Sequence, residues 1–212
     1  MGEFVQATLE TLQMVFFASL FALIMGLPLG LWLTLSKPGG IRENRGVYGT
    51  LDVIINLLRS FPFMILMIVL FPLSRLIIGK TFGTTAAIVP LAVAAAPFVA
   101  RIMEQSLNEV DKGVVEAAVS MGSRTGQIIF RVLLPEALPS IISGITITVI
   151  NIIGYSAMAG AIGGGGLGDL AIRYGLHRRS MSELWITVVI LIVLVQAVQA
   201  AGNRISRSID RR

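Results

Sequence analysis

Glu116-Ala117-Ala118-Val119-Ser120-Met121-Gly122, or EAAVSMG, is followed ten residues later by Val132-Leu133-Leu134-Pro135. Together they form the patterned centre of a polar interval, 104–140, in an otherwise strongly apolar chain. Asp111 stands where a side-chain oxygen can cap a helix running through KGVVEAAVSM. Val114, Val115, Ala118 and Met121 recur at helical spacing and give that helix one apolar face. Gly122 follows where a left-handed C-terminal cap favours a residue without Cβ. Thr125 can cap a second helix, GQIIFRVLL, which Pro135 is expected to interrupt, with Pro139 preceding the next apolar stretch. The interval therefore reads as a short helix-turn-helix presented between two long apolar segments. A helix lying on lipid headgroups has the same spacing, so the pattern alone leaves both readings open.

Working outward, the 212 residues are 55% hydrophobic and only 14% charged, with a mean hydropathy of +0.83. Soluble domains carry about 25% charged residues, so composition points to a polytopic membrane protein. Five segments can cross a bilayer core of about 20 residues: 13–35, 53–73, 85–103, 141–160 and 184–202. The first lacks the basic n-region of a signal peptide, since Glu3 and Glu10 precede it. The expected fold is an all-α membrane protein with five transmembrane helices and one domain, 1–212. There is no Cys and a single His, His177. That argues against disulfides, thiolate chemistry and a transition-metal site. The net charge of +5 reads as basic loops beside anionic lipid rather than nucleic-acid binding.

Orientation follows from the basic residues. Lys37, Arg42, Arg45, Arg101, Lys112, Arg124, Arg131, Arg204, Arg207, Arg211 and Arg212 fall on one side. Arg75, Lys80, Arg173, Arg178 and Arg179 fall on the other. Eleven against five puts the N-terminus outside and the C-terminus in the cytoplasm, as an odd number of spans requires.

EAA, the glycine four residues after its second alanine, and the later Leu134-Pro135 resemble the EAA loop of ABC importer permeases of type I. Three spans before and two after fit the same family. Within it, Arg59–Phe63 (RSFPF), Ala96–Leu107 (APFVARIMEQSL), Val132–Pro139 (VLLPEALP) and Gly154–Leu170 (GYSAMAGAIGGGGLGDL) resemble the permease subunit of methionine importers. The resemblance implies a coupling loop at about 104–140, in which Glu116, Ala117, Ala118, Met121, Gly122, Leu134 and Pro135 meet an ABC ATPase. It implies two ATPase copies, a second copy of this chain, an extracytoplasmic substrate-binding protein and a place in the bacterial inner membrane. The cargo it implies is an amino acid, methionine first, in its L- or D-form; another amino acid, a short peptide or an osmolyte is the alternative. ATP would bind the partner, leaving this chain without cofactor or catalysis. Two departures stand out: Thr125-Gly126 replaces the Ser/Thr-Pro of many relatives, and the loop His177–Ser182 is unusually basic.

Other motifs fail their context. Gly79-Lys80-Thr81 ends like a phosphate-binding loop, but Ser74 stands where the first glycine belongs and no strand precedes it. Gly163–Gly168 satisfies a dinucleotide pattern through glycine content alone; it follows a span, and a flexible or tightly packed exit from that span, where backbones approach closely, explains it better. Gly166–Asp169 matches the GxGD of intramembrane proteases without an evident second membrane aspartate. A secondary transporter is a further alternative, but neither internal repeats nor membrane-centre ionisable groups are evident. Polar and soft residues inside spans, Arg59, Met64, Asn151, Tyr155, Ser156 and Met158, are the candidates for lining a translocation pathway.

Overall fold

The structure, a computed structural model, describes residues 2–210. Every element among them is helical, in the order α1 (Gly2–Ser36), α2 (Arg45–Ser60), α3 (Phe63–Val69), α4 (Phe71–Ile78), α5 (Thr84–Asn108), α6 (Lys112–Ser120), α7 (Thr125–Ile128), α8 (Leu134–Ala161), α9 (Gly166–Ile172) and α10 (Met181–Ile209). Four uninterrupted helical stretches are long and apolar enough to span a membrane: α1, α5, Thr125–Ala161 and α10. Arg211 and Arg212, counted above for orientation, lie outside the described residues.

The fifth span is broken. Instead of one helix over 53–73, α2 and α3 meet at 104°. The cause is local. A residue before proline is pushed out of the helical region by the ring, and Phe61 accordingly sits extended at φ −71°, ψ 131° before Pro62. Composition and length cannot see this bend, because both halves are apolar.

α5 is the centre of the fold. Its span is 72% buried, against 6% for α10, which lies at the periphery. α1 packs on α5 at backbone distance through two glycines. A Cβ on Gly26 would come within 2.5 Å of the Val99 Cβ, and one on Gly30 within 2.3 Å of the Ala100 carbonyl oxygen. Met14, Ala18, Ala22, Leu91, Ala95, Val99 and Ile152 fill the resulting core. Without a hydrophobic drive between helices in lipid, such small-residue contacts are what holds spans together.

At one end, the glycine-rich stretch folds α9 back against α8. A Cβ on Gly160 would lie 2.3 Å from the Asp169 nitrogen, and one on Gly168 only 2.2 Å from the Ala157 carbonyl oxygen. The hairpin is tied to α1 by polar caps: the Gly166 N–H donates to Glu10 Oε2 (2.8 Å) and the Leu167 N–H to Thr11 Oγ1 (2.9 Å). The close-packed reading of the glycines therefore holds.

Candidate coupling surface and pathway face

The helical hairpin of the polar interval is narrower than 104–140. α5 continues to Asn108, and the helix that begins at Thr125 runs on to Ala161, so the exposed hairpin is about 109–124. Asp111 caps α6 as expected, its carboxylate accepting from the Gly113 N–H at 2.6 Å. The other end closes at Gly122, φ +72°. There the Ser123 N–H bonds the Ala118 carbonyl (3.1 Å) and the Gly122 N–H the Val119 carbonyl (2.9 Å). That paired pattern absorbs two orphan carbonyls and requires the left-handed residue.

Two local expectations are corrected. Thr125 is not the cap of the second helix; Arg124 is, its N–H donating to the Gln127 side chain at 2.9 Å. Nor does Pro135 interrupt that helix. A π-turn at Ile129–Leu133 precedes it, and the extra residue in that turn accommodates a ring that supplies no N–H. The same residue keeps Ile128, Leu133, Ala137 and Ile141 on one buried face, spaced five, four and four. Pro139, too, lies inside the continuous helix.

The expected apolar face of α6 is split between two surroundings. Ala118 is only 4% exposed and, with Val115 beside it, packs against Met103, Leu107, Val110 and Ile128 of its own chain. Val114 and Met121 face outward, Met121 at 78% exposure. At about 100° per residue the four positions cover a wide arc, and only half of it meets the chain itself. Ala118 thus holds the hairpin to α5, while Val114, Glu116, Ala117 and Met121 form its outer surface. Glu116 makes no ion pair or hydrogen bond among the described residues. It edges a groove of about 420 Å³ with Lys37, Gly39, Gly40, Ile41 and Val115. Leu134 is half-buried and Pro135 exposed at the start of α8.

The groove's other wall is the turn after α1. Gly39 donates to Glu43 Oε2 (3.0 Å) and Arg45 to Glu43 Oε1 (3.0 Å); the backbone donor first, then the guanidinium, hold that carboxyl below its ordinary range. Lys37 donates to Asn108 Oδ1, and partial burial lowers its ammonium from the usual value.

The pathway candidates separate. Asn151 and Met158 are exposed on one side of α8 with Ser143, Ile147 and Gly154, a single stripe at helical spacing. Tyr155 is half-buried and stacks on Phe63, rings 4.5 Å apart, which anchors the broken span to α8. Met64 is exposed on α3, and Arg59 sits 5.1 Å over the Phe98 ring. Ser156 does not belong with them. It is buried, and its hydroxyl donates to the Ile153 carbonyl at 2.8 Å, so it is turned into the chain's interior.

Sequence reading missed one cluster. Arg101 Nη2 donates to Asp52 Oδ1 (2.6 Å) and Asn56 Oδ1 (2.8 Å), and Nη1 to Glu104 Oε2 (2.6 Å). Tyr48 points its hydroxyl at Glu104 from 3.5 Å. Asp52 and Arg101 are forty-nine residues apart, and no local spacing announces their meeting.

The fold as a whole recurs in a solved protein. A chain of the MetNI methionine ABC transporter, solved in inward-facing conformations, matches with a TM-score of 0.98 and 44% identity, covering 100% of this chain and 98% of that one. The probable D-methionine transport system permease protein MetI of Pasteurella multocida is 51% identical over 206 residues, 97% of this chain and 95% of that protein. The methionine import system permease protein MetP of Bacillus subtilis is 43% identical over 180 residues, 85% of this chain and 81% of the relative. Residues 26–212, which begin within α1, match the family described as binding-protein-dependent transport system inner membrane component, and the chain belongs to that family.

Proposed function

We propose that this chain is the permease subunit of an ATP-driven importer of methionine. Two copies enclose the pathway, two ATPase subunits dock on the cytoplasmic hairpins, and an extracytoplasmic binding protein delivers the amino acid. The observation that carries this reading is likeness to methionine permeases along 97% of the chain. ATP binds and is hydrolysed on the partner, so this chain needs no cofactor and makes no covalent bond. Its work is mechanical. The outer surface of α6, with Glu116, Ala117 and Met121, receives the ATPase, and Gly122 and Ala118 fix that surface in place. The stripe Asn151–Met158, together with Met64 and Arg59 of the broken span, faces the pathway. An uncharged thioether side chain crosses such a lining at low desolvation cost.

Reconstituted in liposomes with its ATPase and its own binding protein, the complex is expected to accumulate radiolabelled methionine in an ATP-dependent manner. Arginine, glutamate and a dipeptide should stay at background. Accumulation of one of those instead would leave the importer standing and remove the cargo.

The basic-residue asymmetry further puts the N-terminus outside and the C-terminus in the cytoplasm. The absence of native Cys makes the check clean. Among single cysteines at Gly2, Gly40, Arg178 and Ser208, an impermeant thiol reagent added to sealed cells should label only those at 2 and 178. Labelling at 208 would reverse the topology.

A further inference from the structure

α2 is lightly held for a helix that packs on both α1 and α5. Ile55 is its only fully buried side chain, packed with Leu33 and Ala100. At its start lies the turn 37–44, and at its end the Phe61–Pro62 break, so it is a rigid segment between two joints. α5, by contrast, is locked to α1 by backbone contact. It is also continuous in packing with the hairpin, since Met103, Leu107 and Val110 share one apolar cluster with Ala118. A displacement of the hairpin that keeps this cluster packed carries this end of α5 with it.

The polar link between these two bodies is the Arg101 cluster, whose geometry is that of a contact built to open. Arg101 is paired across to Asp52, and also along its own helix to Glu104, three residues on. Asp52 likewise has a partner on its own helix, accepting from Asn56 Nδ2 at 3.2 Å. Removing one member of a buried ion pair strands the other charge. Here the cost of separation is small: the guanidinium stays neutralised by Glu104 on α5, and the Asp52 carboxylate, whose side chain is 31% exposed, keeps its hydrogen bond from Asn56 and gains water. An ion pair also loses its strength within a few ångströms, once water enters between the charges, whereas apolar contacts slide. A few ångströms of separation between α2 and α5 would therefore break the Asp52–Arg101 pair.

We propose that Asp52 and Arg101 form a releasable clamp between α2 and α5, with Arg101 the positioning residue through which displacement of the hairpin reaches the broken second span. This rests on the permease reading; the uptake measurement below also uses its methionine cargo, whereas the distance measurement depends on no cargo.

The test uses the whole complex in liposomes. Asp52→Asn keeps shape and removes the charge. Methionine taken up per ATP hydrolysed is expected to fall on the order of tenfold, with hydrolysis itself within about twofold of the unsubstituted complex. A merely structural role would lower both together, and so would overturn the clamp, as would an unchanged ratio. A second measurement needs no variant of the pair. With nitroxide labels on cysteines at Gly49 of α2 and Glu109 after α5, both exposed, the interlabel distance should differ between nucleotide-free and ATP-trapped complex. One distance in both states would refute the proposal even if Asp52→Asn failed to insert. Absence of ATP-driven uptake of any amino acid by the unsubstituted complex, read in the same liposomes, would overturn both this and the importer reading.

Discussion

Ala118→Trp is expected to abolish uptake while the protein still reaches the membrane. The position is almost fully buried against Ile128, Leu133 and the end of α5, and the side chain it would have to accommodate is the largest available. Overpacking of this kind costs about 3 kcal/mol, concentrated on a nine-residue helix with little else to hold it. The hairpin should leave α5, and copurification of the ATPase should fail with it. Ala117→Trp separates this cause from its neighbour. Ala117 is exposed, so the hairpin should stay folded and only the docked surface should be overfilled. Limited proteolysis of the hairpin in detergent tells the two apart: Ala118→Trp should be cut faster than the unsubstituted protein, Ala117→Trp at the same rate. Equal protection in both would mean that Ala118 does not anchor α6.

Gly168→Ala should be the most damaging single methyl group in the chain. Its Cβ would arrive 2.2 Å from the Ala157 carbonyl oxygen and 2.5 Å from the Ala157 Cα. Both are backbone atoms, so no rotamer change relieves the clash; α8 and α9 must part. Separation would also pull the α9 N-terminus from Glu10 and Thr11 and expose hydrogen-bonded groups with nothing to replace their partners. A loss of about 3 kcal/mol or more is expected, read as a lowered unfolding midpoint in detergent and reduced membrane abundance. Gly154→Ala on the same helix meets nothing within 4 Å and should leave the midpoint unchanged. If both variants melt together, the close approach is not what holds the hairpin.

What could be read from sequence was whatever depends on neighbours along the chain. Asp111 and Gly122 follow from capping rules, and four spans from apolar length. The hairpin's existence is local in the same sense, but its orientation is not. Periodicity groups Val114, Val115, Ala118 and Met121, yet nothing local says that Ala118 turns inward and Met121 outward. Pro62 was in plain view, and its effect on Phe61 is a local rule; an apolar window of the right length hid it. Pro135 misled in the opposite direction, because a π-turn absorbs what would break an α-helix. Asp52 with Arg101, and Glu10 with Gly166, join residues forty-nine and one hundred and fifty-six positions apart. Charges inside spans could be noticed one by one, but their partners come from the packing of helices. Ser156 shows the converse: a polar residue in a span need not face a pathway when its own helix satisfies it.

The π-turn has a geometric outcome of its own. Because it carries the chain past Pro135 without a break, Thr125–Ala161 is one shaft of 37 residues, roughly 55 Å long at 1.5 Å per residue. Its near end stands beside the hairpin and its far end carries the glycine fold that holds α9. On a lever of that length, a tilt of about 5° at one end sweeps the other through about 5 Å, the width of a small side chain. A modest push on the hairpin would thereby arrive at the glycine fold as a side-chain-sized displacement.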